Sequence, residues 1–76
     1  MDWVEKFGPN GQLWLVLVDG YENLALVDTT PQNVEGDTKF IWSMKAMVLG
    51  GAADSVEEAQ RLAEQTLKFI GYRQMV

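Results

Sequence analysis

Hydrophobic residues follow two kinds of pattern along the chain, one typical of strands and one typical of a helix. Residues 13–18, Leu-Trp-Leu-Val-Leu-Val, and residues 21–27 are rich in residue types that favour strands. The Asp19-Gly20 pair between them is typical of a two-residue turn of type I′. These segments therefore predict an antiparallel hairpin.

The clearest helical signal covers residues 55–70. Ser55 and Glu58 have the spacing of a capping box, in which the serine side chain accepts a hydrogen bond from the Glu58 amide. Apolar residues then recur at the spacing of one helix face, and Gly71 marks the end of the helix. This apolar stripe consists of Val56, Ala59, Leu62, Ala63, Thr66, Leu67 and Ile70. We therefore predict a C-terminal amphipathic helix.

Residues 38–49 fit two interpretations. Alternate residues from Phe40 to Val48 are apolar, as in a strand, but apolar residues also recur at helical spacing. Gly50 would suit the end of such a helix. We favour the strand, because a hairpin needs a third strand to form a stable sheet.

Two further segments are less regular. Residues 1–11 end in the turn sequence Gly8-Pro9-Asn10-Gly11 and form either a short strand or an irregular arm. Residues 28–37 predict a polar loop, since Pro31 keeps the residue before it out of the helical region. The chain thus predicts one α+β domain over residues 1–76. Its antiparallel sheet would have three strands, or four with the first segment, and one C-terminal helix would pack on one face.

The predicted hairpin register assigns side chains to the two faces of the sheet. A turn at Asp19-Gly20 pairs Leu15 with Leu24, and directly opposed residues share a face. The face under the helix would carry Leu13, Leu15, Leu17, Leu24, Leu26, Phe40, Trp42, Met44 and Val48. The opposite face would carry Trp14, Val16, Val18, Tyr21, Asn23, Ala25, Ile41, Ser43, Lys45 and Met47. Since one helix cannot cover both faces, we predict that the second face is an interaction surface.

Aromatic and methionine side chains on this second face are typical of the centres of protein interfaces. The predicted partner-binding residues are Trp14, Val16, Tyr21, Asn23, Ser43, Lys45 and Met47. Three covers for the face are open: the N-terminal arm with Trp3 and Phe7 packed on Trp14, a second copy in a homodimer, or a heterologous protein partner. An exposed face requires that Trp14 and Tyr21 are not fully buried within the monomer.

Composition limits the chemistry that the chain can perform. It has 76 residues, no cysteine and no histidine, which removes disulfides, thiolate ligands and the commonest general base. Ser55 has no histidine to activate it, and Gly50-Gly51 is more simply a joint before the helix than a phosphate-binding motif. We therefore expect no enzymatic activity and no cofactor. Asp28, Glu35 and Asp37 could bind a hard cation, but a solvated loop is preferred and no metal site is predicted.

The charge and hydropathy of the chain limit the kinds of partner that it can bind. The net charge of −5, with dispersed basic residues, argues against direct binding to nucleic acid or to anionic membranes. The apolar stretch 13–18 is too short to span a bilayer, and residues 1–6 lack the basic start of a signal peptide, so we expect a cytoplasmic protein. The acidic residues could imitate nucleic acid toward another protein, but ordinary solubility is the preferred explanation.

Residues 53–60, Ala-Asp-Ser-Val-Glu-Glu-Ala-Gln, follow a Trp-bearing hairpin, a third aromatic strand and a glycine-rich joint. In this outline, over about residues 12–70, the chain resembles short β-β-β-α proteins encoded by phages and mobile elements. Its sheet-then-helix ending is similar to that of HicB-like antitoxin domains, although their Gly- and Pro-containing strand signature is absent. The resemblance implies a phage or prophage accessory protein, a group that includes anti-CRISPR and other inhibitors of host proteins, and it carries over no functional residue.

The expected function is therefore that of a non-catalytic protein-binding domain. Its more specific form is a phage-type inhibitor of a host protein, such as a CRISPR-Cas component. The alternative is a structural homodimer or a small subunit of a larger assembly.

Overall fold

The computed structural model describes residues 1–45 and 49–69, which form an antiparallel sheet with one helix. The strands are β1 (Asp2–Phe7), β2 (Leu13–Asp19), β3 (Glu22–Asp28), β4 (Gln32–Val34), β5 (Asp37–Met44) and β6 (Gly50–Ala53), and the helix is α1 (Val56–Phe69). The strand order is β1-β2-β3-β5-β4, and β6 also pairs with β5. The α+β class and the C-terminal helix are confirmed, but the described residues form six strands where three or four were predicted.

The additional strands come from segments that carry weak strand signals. Residues 1–11 supply β1, which pairs with β2, so the strand interpretation of this segment is confirmed. The predicted loop 28–37 contains β4, which forms a hairpin with β5 around Glu35 and Gly36. Both turn residues have positive φ, 53° and 88°, as a type I′ turn requires.

The glycines at the start of β6 allow it to lie against Trp42. A Cβ atom at Gly50 would lie 2.5 Å from the Trp42 carbonyl oxygen, closer than atoms can pack. A Cβ atom at Gly51 would lie 3.3 Å from the Trp42 indole nitrogen. Gly50-Gly51 is therefore part of a strand rather than only a joint before the helix, because the lack of side chains permits this close pairing.

The ambiguous segment 38–49 is a strand in its first part. β5 runs from Asp37 to Met44 and pairs with β3 through Val27 and Trp42 and through Ala25 and Met44. The strand interpretation is thus confirmed as far as Met44. Residues 46–48, which include the predicted positions Met47 and Val48, lie outside the described residues.

The turn between β2 and β3 lies one residue later than predicted. Asp19 pairs with Glu22, so the two turn residues are Gly20 and Tyr21. Gly20 has a φ of 62° and takes the first central position, where a type II′ turn favours glycine. The predicted type I′ turn at Asp19-Gly20 is wrong, because Asp19 pairs with Glu22 and, of the two turn residues, only Gly20 has a positive φ.

A bulge in the same hairpin changes which side chains face the helix. The register shifts between Leu17 and Val18, so Leu17 faces Ala25 and Leu24 becomes the extra residue. Leu24 and Ala25 both enter the core, whereas Leu26 pairs with Val16 on the other face. The predicted assignments of Leu26 to the helix side and Ala25 to the opposite side are therefore wrong. The core consists of Leu17, Leu24, Ala25, Val27, Trp42, Met44, Ala53, Ala59, Ala63 and Leu67.

The helix begins as its capping sequence predicts. The Glu58 amide donates to the Ser55 hydroxyl oxygen at 3.1 Å, while the Glu58 carboxylate accepts from the Asp54 amide at 3.1 Å. Ala59 and Ala63 are buried against the sheet with Leu67. The predicted end at Ile70 and Gly71 lies outside the described residues. In the described part of the chain, no helix is long and apolar enough to cross a membrane.

Candidate protein-binding face

The sheet has one face that α1 does not cover. α1 lies over β3, β5 and β6, and none of the elements formed by residues 1–45 and 49–69 packs on the other side. We call this second side the open face. By strand alternation and register, its members include Val4, Lys6, Trp14, Val16, Val18, Asn23, Leu26, Asp28, Ile41 and Ser43.

A row of apolar side chains crosses the middle of the open face. Val4 of β1 is directly opposite Val16 of β2, which is in turn opposite Leu26 of β3. Val16 is only 2% exposed, while Val4 and Leu26 are half-buried. Val16 therefore contributes almost no accessible area to the open face, and Val4 and Leu26 contribute more.

Trp14 lies beside this row and is half-buried. It is opposite Lys6 on one side and Asp28 on the other. A Cβ atom at Gly8 would lie 3.1 Å from the Trp14 indole nitrogen, so the indole rests directly on the Gly8 backbone. The indole is thus held against the Gly8 backbone while part of the Trp14 side chain stays accessible.

Asp28 places a buried carboxylate next to Trp14. It is 5% exposed, and its Oδ2 atom accepts from Gln12 Nε2 at 2.7 Å. Its Oδ1 atom accepts from the Thr30 amide at 2.9 Å, which closes the turn after β3. The prediction of a solvated loop is wrong for Asp28, because the shifted register brings it opposite Trp14. Asp28 is two residues after Leu26, so a strand that continues past Leu26 would place Asp28 on the same face of the sheet. This alternation is the sequence signal for its position.

The predicted partner-binding residues fall into three groups. Those on the open face are Trp14, Val16, Asn23 and Ser43. Tyr21 is fully exposed in the turn rather than on the sheet, and Lys45 is exposed just after β5, where its amide donates to the Leu24 carbonyl oxygen. Met47 lies outside the described residues. Neither Trp14 nor Tyr21 is fully buried, as an exposed face requires.

The N-terminal segment does not cover the open face. Trp3 and Phe7 project from β1 on the helix side, where the Trp3 indole nitrogen donates to the Glu64 carboxylate at 2.6 Å. The interpretation in which both residues pack on Trp14 is therefore wrong, because pairing with β2 fixes the alternation of β1. Of the three covers considered, the N-terminal arm is thus excluded, while a second copy and a protein partner stay predictions.

The charged residues of the described chain form no metal-binding group, and two of them join the sheet to the helix. Among residues 1–45 and 49–69, no group of three or more acidic side chains could hold a metal ion. Lys39 of β5 forms an ion pair with Asp54 at the start of α1. The hydrogen bond to Asp54 and the charge of that carboxylate raise the pKa of Lys39. This pair links the sheet to the helix on the exposed surface.

Comparisons with protein-family models, with curated proteins and with solved structures gave no match. The function is therefore inferred from the chain's own geometry, above all from the open face.

Proposed function

We propose that this chain is a non-catalytic protein-binding domain that contacts its partner through the open face. The observation that supports this proposal is the apolar row of Val4, Val16 and Leu26 with Trp14 beside it, on the side of the sheet away from α1. Val4, Leu26 and Trp14 are half-buried and Ile41 is 36% exposed, and adjoining accessible apolar side chains commonly mark an interaction site.

The distribution of residue types on the open face suits a protein partner. Its apolar centre includes Ile41, which is 36% exposed, and Leu26. Lys6, Asn23 and Ser43 supply polar groups around that centre. An apolar centre with a polar margin is the usual anatomy of a protein interface, and Trp14 is the residue type most enriched among binding hot spots.

A phage-type inhibitor of a host protein, such as a CRISPR-Cas component, is a more specific form of this proposal. It rests on the sequence resemblance alone, as does any connection with phages. The cytoplasmic location likewise stays a prediction from the sequence.

Site-specific photo-crosslinking tests the proposal. A photoreactive amino acid replaces Asn23, which is exposed at the margin of the open face, and in a matched control it replaces Gln65, which is exposed on α1. The chain is purified from a lysate of its source cells after illumination, and adducts are identified by mass. We expect a stoichiometric adduct with one other protein from position 23 and none from position 65.

Two results would contradict the proposal. The first is an adduct with another protein that forms only from position 65, because it would place the partner on the helix. The second is an adduct between two copies of the chain as the sole product from position 23, because it would identify the open face as a homodimer interface.

A further inference from the structure

The outer edge of β1 is available for pairing in the part of the chain that the structure describes. β1 is the first strand in the sheet order, and its pairing with β2 is regular from Asp2 to Phe7. The strand contains neither proline nor a bulge, two of the devices that stop an edge strand from pairing, and its charged residues, Asp2, Glu5 and Lys6, are of both signs. We propose that this edge pairs antiparallel with β1 of a second copy, with Val4 at the two-fold axis.

The turn after β1 shows which backbone groups point outward. The Gly8 amide donates to the Gln12 carbonyl oxygen at 2.8 Å, so the Gly8 backbone faces β2. The Leu13 carbonyl oxygen accepts from the Thr29 amide on the β3 side at 3.3 Å, which leaves the next residue of β2 facing β1. Because backbone groups alternate along a strand, the β1 residues that bond to β2 are Asp2, Val4 and Lys6. Those whose N–H and C=O groups point outward are Trp3, Glu5 and Phe7.

This alternation restricts how two β1 strands can pair. In a symmetric antiparallel pair, outward-facing residues must lie opposite each other, so a residue of β1, rather than the gap between two residues, lies at the axis. Asp2, Glu5 or Lys6 at the axis would bring two like charges together, which is unfavourable. Trp3 at the axis would leave the second half of β1 unpaired, and Phe7 at the axis would leave the first half unpaired.

Charge complementarity selects the register with Val4 at the axis. Asp2 then lies opposite Lys6 of the second copy, and the two-fold axis repeats this ion pair on the other side of Val4. Trp3 lies opposite Glu5 of the second copy, and the backbones of these two residues exchange two hydrogen bonds. The two-fold axis generates a second pair of the same kind. The Asp-Trp-Val-Glu-Lys sequence of β1 is thus self-complementary when it runs antiparallel to itself.

The pairing has a consequence for the open face. The two-fold axis is perpendicular to the sheet, so both copies present their open faces on the same side and their helices on the other. The row of Leu26, Val16 and Val4 continues across the axis into the same row of the second copy. This pairing uses the edge of the sheet and leaves the open face accessible, so it stands or falls independently of the proposed function.

Cysteine cross-linking tests the register directly. The chain has no cysteine of its own, so Val4→Cys introduces a single thiol per copy. Val4 and its symmetry mate form a non-hydrogen-bonded pair, in which the side chains approach closely enough for a disulfide. We expect mild oxidation to convert Val4→Cys into a covalent dimer and to leave Ile41→Cys, on the open face far from the axis, monomeric. Cross-linking of Ile41→Cys without Val4→Cys would overturn the proposal, because it indicates a face-to-face pair.

Light scattering with charge variants tests the same pairing without oxidation. We expect the mass of the unmodified chain to rise with concentration toward twice 8.6 kDa. Lys6→Asp should weaken the dimer about tenfold by placing like charges opposite each other, and adding Asp2→Lys should restore it. Glu5→Pro removes only an outward-facing N–H and should give a folded monomer by circular dichroism. A chain that stays monomeric at every concentration, or a dimer that the charge variants leave unchanged, would overturn the proposal.

Discussion

The indole N–H of Trp3 donates to the Glu64 carboxylate at 2.6 Å, joining residues that are 61 positions apart in the sequence. This bond ties β1 to the helix and places Trp3 on the helix side of the sheet. Val4 and Lys6, the alternate residues, therefore face the other way. The N-terminal segment is therefore a strand within the sheet and does not pack over the open face.

Removal of this bond should destabilise the fold moderately. Trp3→Phe keeps an aromatic ring but loses the donor, so we expect the free energy of unfolding in urea to fall by about 1 kcal/mol. Glu64→Gln keeps an acceptor oxygen and should cost less. A Trp3→Phe variant as stable as the unmodified chain would show that the bond does not hold β1 against α1.

Loss of the Asp28 carboxylate should be more costly. Asp28→Ala leaves the Gln12 side-chain amide and the Thr30 amide without their acceptor, so we expect a loss of about 1–3 kcal/mol in the free energy of unfolding. Asp37→Ala, at an exposed position, is the control and should change stability by less than about 0.5 kcal/mol. Urea denaturation of both variants measures the difference, and equal stabilities would contradict the assigned role of Asp28.

A side chain at Gly50 should disturb β6. Its Cβ atom would collide with the Trp42 carbonyl oxygen, so we expect Gly50→Ala to lower the free energy of unfolding by about 1–3 kcal/mol. Ala52→Ser, at an exposed position of the same strand, should be neutral within about 0.5 kcal/mol. If Gly50→Ala proved as stable as Ala52→Ser, the close pairing of β6 with β5 would be wrong.

Features that depend on local sequence could be predicted from the sequence. The hairpin strands follow from their β-favouring residues, and the start of the helix follows from Ser55 and Glu58. Alternation within their strands places Trp14 and Ser43 on the uncovered face, where the structure has them.

Features that depend on pairing between segments could not be predicted in the same way. The bulge beside Leu17 exchanged Ala25 and Leu26 between the faces, and nothing in the hairpin sequence marks the position of that bulge. Residues 50–53, Gly-Gly-Ala-Ala, lack strand-favouring side chains, and β6 is defined by its pairing with β5 and its close approach to Trp42. Alternation from Leu26 indicates that Asp28 continues the strand, but its position opposite Trp14 depends on the shifted register.

The affinity of the purified complex, measured by calorimetry, tests the central claim most directly. The partner is the protein identified by cross-linking, and the two variants compared are Ile41→Lys on the open face and Phe69→Lys on α1, both at exposed apolar positions. We expect Ile41→Lys to raise Kd about 30-fold or more, which corresponds to a hot-spot loss of about 2 kcal/mol. Phe69→Lys should leave Kd within about twofold, as expected outside an interface. Equal affinity of the two variants, or a loss confined to Phe69→Lys, would contradict binding through the open face.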